Sequence, residues 1–244
     1  MSRLYIGTSG WSYQHWRECF YRDVPRKTWL KFYAEGFNAV EINGTFYRLQ
    51  QPETFKKWFA ETPPGFRFAL KANRYLTHNK KLIDPEASVL IEKNHADALN
   101  GKLTAVLWQL PRFLKKNSAR LNAFTIALRQ WQEVRHVIEF RHPSWFDDDT
   151  AVCLAEANIA VCQSDAESWP LWDRITSDLV YIRLHGHTRT YASSYSPSEL
   201  AHWADKIRPW LEQGRDVHVY FDNDAECAAP FNAQALQALL DERR

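Results

Sequence analysis

Short β-rich runs return along the chain at intervals of about thirty residues, and helical apolar spacing separates most of them. This alternation narrows the fold more than any other feature. The runs are Arg3–Thr8, Asn38–Asn43, Phe66–Ala72, Leu103–Leu110, Val134–His142, Asn158–Asp165, Leu179–Gly186 and Asp216–Asp222, eight in all. Helices are expected over Arg26–Glu35, Pro52–Glu61, Ala87–Leu99, Ala119–Glu133, Asp147–Ala157, Pro197–Gln213 and Ala228–Arg243. Gly36 is placed to end the first of these at C′, and Pro63-Pro64-Gly65 stops the second. Ser118 and Ser196-Pro197 open two others, and Asp147-Asp148-Asp149 suits the positive end of a fifth helix. Only Ala166–Ser177, before the seventh strand, is too short for more than a turn or two.

Eight strands alternating with helices in 244 residues predict an α/β chain, a (β/α)8 TIM barrel as one domain over residues 1–244. The alternative is a doubly wound open sheet, which calls for a glycine-rich phosphate turn after an early strand. Gly7-Thr8-Ser9-Gly10 lacks that GxGxxG spacing. An aromatic content of 14% excludes disorder, and a net charge of +2 makes no demand for nucleic acid or membrane. No apolar run approaches the ~18–20 residues of a membrane span. Ser2-Arg3 leads straight into Leu4-Tyr5-Ile6, so no signal peptide is expected. Cys19, Cys153, Cys162 and Cys227 lack CxxC spacing and read as reduced, mostly buried residues, which points to a cytoplasmic setting.

A strand alternates sides, so parity sorts residues between the barrel axis and the helices. Val40 and Ile42 facing the helices turn Glu41 and Asn43 inward. The same reasoning turns Lys71, Gln109, Glu139, Arg141, Asp165, Arg183, His185 and Asp222 toward the axis. All lie near the C-terminal ends of their strands, where this architecture builds its sites. Any one of them alone reads as part of a buried ion network, since a buried ion must be paired. Ten converging on one mouth read as a functional site.

Three readings of that mouth stay open. In the first, Lys71, Arg141 and Arg183 hold the phosphate or carboxylate of a small anionic, sugar- or nucleotide-like substrate. Glu41 or Glu139 is then the general base and His185 or Asp222 the acid, as in a hydrolase or isomerase, with Asp165 in the same carboxylate set. Lys80, Lys81 and Arg189 extend the positive rim, and Trp11, Tyr47, Trp145 and Trp169 stack on a sugar or base. His78, in a long connection, is a candidate lid residue. In the second, the carboxylates bind a divalent metal, against which three interleaved cations compete and no HxH or HExxH spacing occurs. No cofactor is otherwise expected. The third is a non-catalytic module for a nucleotide, sugar or nucleic-acid end, for which a basic stripe is wanting. His15, His95, His136 and His202 read as surface or helix residues, and no feature sets an oligomeric state.

The chain also resembles the YecE-like family, known as domain of unknown function 72. The matching segments are Gly7-Thr8-Ser9-Gly10-Trp11, Glu41-Ile42-Asn43-Gly44-Thr45-Phe46-Tyr47, Phe68-Ala69-Leu70-Lys71, Thr77-His78 with Lys81-Leu82, and Trp108-Gln109-Leu110-Pro111. Glu139-Phe140-Arg141-His142-Pro143-Ser144-Trp145, Tyr181-Ile182-Arg183-Leu184-His185-Gly186, and Tyr220-Phe221-Asp222-Asn223-Asp224 with Asn232-Ala233 continue the match in order. The resemblance implies a TIM barrel and implies no reaction.

Overall fold

All eight strands form where the sequence places them. They are β1 (Leu4–Thr8), β2 (Ala39–Ile42), β3 (Arg67–Lys71), β4 (Leu103–Gln109), β5 (Arg135–Glu139), β6 (Ala160–Asp165), β7 (Leu179–Leu184) and β8 (Asp216–Phe221). The computed structural model describes residues 2–241. Every paired strand is parallel, in the order β1-β8-β7-β6-β5-β4-β3-β2. The α-helices among the described residues are α1 (Trp29–Gly36), α2 (Pro52–Glu61), α3 (Glu86–Ala96), α4 (Ser118–Leu128), α5 (Asp148–Glu156), α6 (Pro197–Glu212) and α7 (Ala228–Asp241). The β6–β7 connection carries no helix, as its length requires. The molecule is a (β/α)8 TIM barrel.

The barrel closes between β1 and β2 through side chains as much as through backbone. Their one ladder contact is the Ser9–Glu41 bridge, with Gly10 N–H donating to the Glu41 carbonyl at 2.7 Å. Below it, Asn38 accepts from Ile6 N–H and donates to the Leu4 carbonyl, replacing two ladder bonds. The Tyr33 hydroxyl accepts from Thr8 N–H at 2.8 Å and reaches the Ala39 carbonyl at 3.3 Å. Gly7 is required here, because a Cβ would lie 2.0 Å from the Ala39 oxygen. Inside, Ala39, Ala69, Ala105 and Ala160 leave room for Tyr5, Tyr181 and Tyr220 from the opposite strands. Small residues facing large ones fill the axis to interior density.

Local stops and starts differ from expectation at a few points. Gly36 is the last helical residue of α1, and Phe37 closes the helix with extended backbone at φ −131°. Asn117, not Ser118, caps α4 by accepting from Arg120 N–H. Ser196 and Glu199 form a reciprocal capping box on α6, and Asp147 caps α5 through Thr150 N–H. His136 is buried on β5, not a surface group, and bonds the Trp131 carbonyl and the Trp108 indole.

The reduced state expected for the cysteines is corrected at one pair. Cys19 and Cys227 form a disulfide across 208 residues of sequence, while Cys153 and Cys162 are free. Spacing hides the pair because barrel closure makes it: β1 and β8 are neighbours, so the segments that follow them meet. The disulfide also removes cysteine usage as an argument for the cytoplasm. Among the described residues, no helix is long and apolar enough to cross a membrane.

Gly7→Ala tests the closure. The added methyl drives β1 from β2, and the expected loss is about 1–3 kcal/mol or more in chemical denaturation. An unchanged midpoint would contradict the tight seam.

Candidate functional site

Arg183 leaves β7 toward the axis and is fully buried. Its Nε donates to both Glu41 oxygens at 3.1 Å, and Nη2 donates to Glu41 Oε1 at 2.9 Å, Asp222 Oδ2 at 2.8 Å and Ser9 Oγ at 3.1 Å. Nη1 donates to Glu139 Oε2 at 3.1 Å and reaches His185 Nε2 at 3.2 Å. One guanidinium thus joins β2 and β5 with the segments just after β1, β7 and β8. The carboxylates fill their remaining lone pairs locally. Glu41 accepts from Ser9 Oγ at 2.5 Å and from the Tyr181 hydroxyl at 2.6 Å. Glu139 accepts from Ser164 Oγ at 3.0 Å and pairs with Arg141.

This geometry sets protonation. Burial opposes ionisation of Glu139, yet Arg141 and Arg183 hold its carboxyl well below the usual carboxylate range. Burial likewise opposes ionisation of Asp222, and Arg183 and His185 overcome it, bringing the group to about 2. For His185, burial and then Arg183 lower its value to about 4, so the ring is neutral. Its Nε2 faces an arginine donor and its Nδ1 lies 2.9 Å from Asp222 Oδ2, which places the proton on Nδ1. Glu139 and Asp222 therefore stay ionised beside Arg183 and Arg141.

The cations on the outer side of this network are less committed. Lys71, the last residue of β3, is 7% exposed, and its Nζ sits 4.3 Å from the centre of the Phe46 ring. Among the described residues it has no hydrogen-bond acceptor and no carboxylate within 4 Å, the nearby acids being held by arginines. Burial, then Arg183, lower its value to about 8. Arg141 lies 3.3 Å from the centre of the Trp169 ring, and its Nε is sealed without a partner. His78 stands on a π-helical turn, Tyr75–Asn79, with its ring 5.0 Å from Phe46. Burial, then Arg74, Lys71 and Arg141, lower His78 to about 4. Asp224, just past β8, is raised to about 6 by burial and then by Asp222.

A groove of about 350 Å³, lined by Gly10, Trp11, Tyr13, Asn43, Tyr47 and Trp58 among others, adjoins the network. Asn43 Oδ1 is sealed there without a donor. Trp11 is buried edge-on against Trp58, whereas Tyr47 is 70% exposed on the rim. Gln109 shares the inward register beside Glu139, and its Nε2 donates to the Leu110 carbonyl at 3.1 Å.

Three expected members stand elsewhere. Asp165 points out of the barrel, where it contacts His187 at 3.0 Å and the Tyr195 hydroxyl at 2.9 Å beside a cavity of about 310 Å³. On β6 the inward face belongs to Ala160, Cys162 and Ser164, and the missing helix leaves a polar outer face for Asp165. Trp145 is buried, stacked on Phe140, and donates to the Leu114 carbonyl at 2.8 Å, so it is not a rim residue. Arg189 is paired with Glu226 and adds no free charge to the mouth. Conversely, Ser9, Ser164 and Tyr181 belong to the network though none is among the ten charged and amide residues that sequence reasoning gathers at the mouth. Strand parity places Tyr181 inside and Ser9 at the end of the first strand, but the parity that turned Asp165 inward puts Ser164 on the wrong face.

Arg183→Met should lower stability by about 3–5 kcal/mol at pH 7, because it leaves buried carboxylates uncompensated. In the parent, the depressed values of Glu139 and Asp222 stabilise the fold above their unfolded values near ~4, and that stability is lost as pH falls below them. In the variant the unpaired acids take up protons readily, so the deficit narrows toward pH 5. Urea midpoints at the two pH values measure both effects. A variant as stable as the parent at pH 7, or a deficit that widens on acidification, would contradict the network.

The profile of the family described as protein of unknown function DUF72 matches residues 5–244. UPF0759 protein YunF of Bacillus subtilis is 27% identical over 98% of this chain and 95% of its own. UPF0759 protein YecE of Escherichia coli K12 is 30% identical over 59% of this chain and 50% of its own. The DUF72 family protein TM1631 of Thermotoga maritima has a TM-score of 0.88 at 26% identity, covering 98% of this chain and 99% of its own. EF0366 of Enterococcus faecalis has a TM-score of 0.83 at 20% identity, covering 99% and 96%, and bears on the fold alone. With the profile matched over nearly its whole length, the chain belongs to the DUF72 family.

Proposed function

We propose that the mouth of the barrel is the site of an enzyme of hydrolase or isomerase type, acting on a small anionic, sugar- or nucleotide-like substrate. One observation carries the reading: the Phe46 ring gathers Lys71, Arg74 and His78, and Arg141 adds to the positive field that keeps His78 neutral. Of the three cations, only Arg141 has a carboxylate within 4 Å among the described residues. Lys71 and Arg74 lie 4.3 and 5.9 Å from the centre of the Phe46 ring. A phosphate or carboxylate placed among these cations gains charge-assisted hydrogen bonds and relieves their mutual repulsion. The exposed Tyr47 ring then stacks on a sugar or base.

The division of labour follows from proton affinity. Glu139 and Asp222 remain ionised and His185 neutral, so they shape the field. Asp224 at about 6 and Lys71 at about 8 flank neutrality, and one can donate a proton while the other accepts. The divalent-metal alternative has less support, because the oxygens of Glu41, Glu139 and Asp222 are committed to Arg183, Arg141, Ser9, Ser164 and Tyr181. No group of three or more His, Cys, Asp or Glu among the described residues is arranged to hold a metal ion.

Titration of the His78 ring by NMR, with and without inorganic phosphate, tests the proposal. An anion among the three cations favours the protonated ring, so the value should rise from about 4 by about one unit or more. Arg141→Gln should weaken the phosphate dependence at least several-fold. A His78 titration indifferent to phosphate would overturn the anion site.

A further inference from the structure

We propose that Lys71 is an imine-forming nucleophile, so that the substrate of this site carries an aldehyde or ketone together with its anionic group. The nucleophile stands on the lysine's own surroundings, and the anionic half rests on the function proposed above.

Two lysines of this protein are equally buried, and they are held in opposite ways. Lys102 is also 7% exposed, but its Nζ donates to the Phe59 carbonyl at 2.6 Å, the Thr62 carbonyl at 2.7 Å and Thr62 Oγ1 at 3.1 Å. That is a fully solvated ammonium whose solvent is protein. Lys71 has no acceptor at all among the described residues and looks onto the Phe46 ring. An ammonium set against the Phe46 ring and near Arg183, with no protein acceptor, keeps only the water that reaches it from the mouth, so the charged form is disfavoured while the nitrogen stays open to a ligand. Loss of a proton, easier here than in an ordinary lysine, frees the lone pair that carbonyl chemistry requires.

The backbone that carries this amine is fixed. The Lys71 carbonyl accepts from Thr45 Oγ1 at 2.6 Å, and the next amide, Ala72 N–H, donates to the Leu107 carbonyl at 2.9 Å. Arg183, Asp222, Glu139 and Glu41 face Lys71 from β7, β8, β5 and β2, and His78 faces it from the π-helical turn. Arg74 and Arg141 remain to hold the anionic group after Lys71 is consumed in the covalent bond.

The step balances without an added oxidant or reductant. The amine lone pair attacks the carbonyl carbon, forming a C–N bond as the C=O π pair moves to oxygen. The resulting carbinolamine loses that oxygen as water, both of its hydrogens coming from the amine, and a C=N bond remains. Protonation of its nitrogen gives the iminium, an electron sink for loss of a proton or cleavage of a bond at the adjacent carbon.

Borohydride trapping tests the inference on the full-length protein. Glyceraldehyde 3-phosphate and uncharged glyceraldehyde are each incubated with it and reduced, so that hydride adds to the iminium carbon and leaves a stable secondary amine. Intact mass and peptide mapping locate the adducts. The expected result is one dominant adduct at Lys71, formed about tenfold faster with the phosphate ester and slowed by excess inorganic phosphate. Its rate should rise through pH of about 8, below the range near ~10.4 of ordinary lysines. Lys71→Arg should abolish it, and Lys102→Arg, a packing control, should leave it intact. Adducts confined to surface lysines would overturn the proposal, as would phosphate binding without trapping at Lys71. Equal trapping of both aldehydes at Lys71, indifferent to phosphate, would support the nucleophile and overturn the anion site.

Discussion

The Arg183 guanidinium is the contact on which the mouth of this barrel depends. A guanidinium has five N–H donors in a fixed plane, and this one spends them on Glu41, Glu139, Asp222, Ser9 and His185. Lysine at the same place would supply a point charge and could not reach three carboxylates in one plane. Because Arg183 cannot be deprotonated in practice, Glu139 and Asp222 stay ionised and His185 stays neutral. The charge state of the site is thus set by geometry, before any ligand arrives.

The same contact serves the fold. Barrel closure is weakest between β1 and β2, where Ser9 and Glu41 make the one ladder bridge. Those two residues are also ligands of Arg183, which reaches them from β7 across the axis. The ion network therefore clasps the seam from inside while Asn38 and Tyr33 hold it lower down. Stability and site geometry are two consequences of one buried cluster, so the acids nearest Arg183 are poor candidates for moving protons. Lys71 and Asp224, whose proton affinities lie nearer neutrality, sit at the edge of the cluster, where pairing is incomplete.

Much of this was legible in the sequence, and the reasons are specific. Eight alternating runs carried the fold, and strand parity carried Glu41, Glu139, Arg183, His185 and Asp222 to one mouth. Parity failed at β6, where Cys162 and Ser164 are small enough for the axis and Asp165 is polar enough to be mistaken for an inward group. The length of Ala166–Ser177 shows that no helix fits between β6 and β7, but length says nothing of the polar outer face that its absence leaves on β6. Trp145 looked like a rim aromatic by position, yet a buried carbonyl, that of Leu114, takes its indole N–H. The Cys19–Cys227 disulfide was invisible because its partners are joined by closure, a property of the whole ring. Arg74 went unnoticed since no periodicity governs a loop; only the fold brings it beside His78.

A crystal structure of the protein grown in excess inorganic phosphate tests the account most directly. The account predicts a phosphate bounded by Lys71, Arg74, Arg141 and His78, with the Arg183 contacts to Glu41, Glu139 and Asp222 unchanged. Phosphate bound instead to Arg183 with those carboxylates displaced, or an empty mouth with phosphate bound elsewhere, would contradict it.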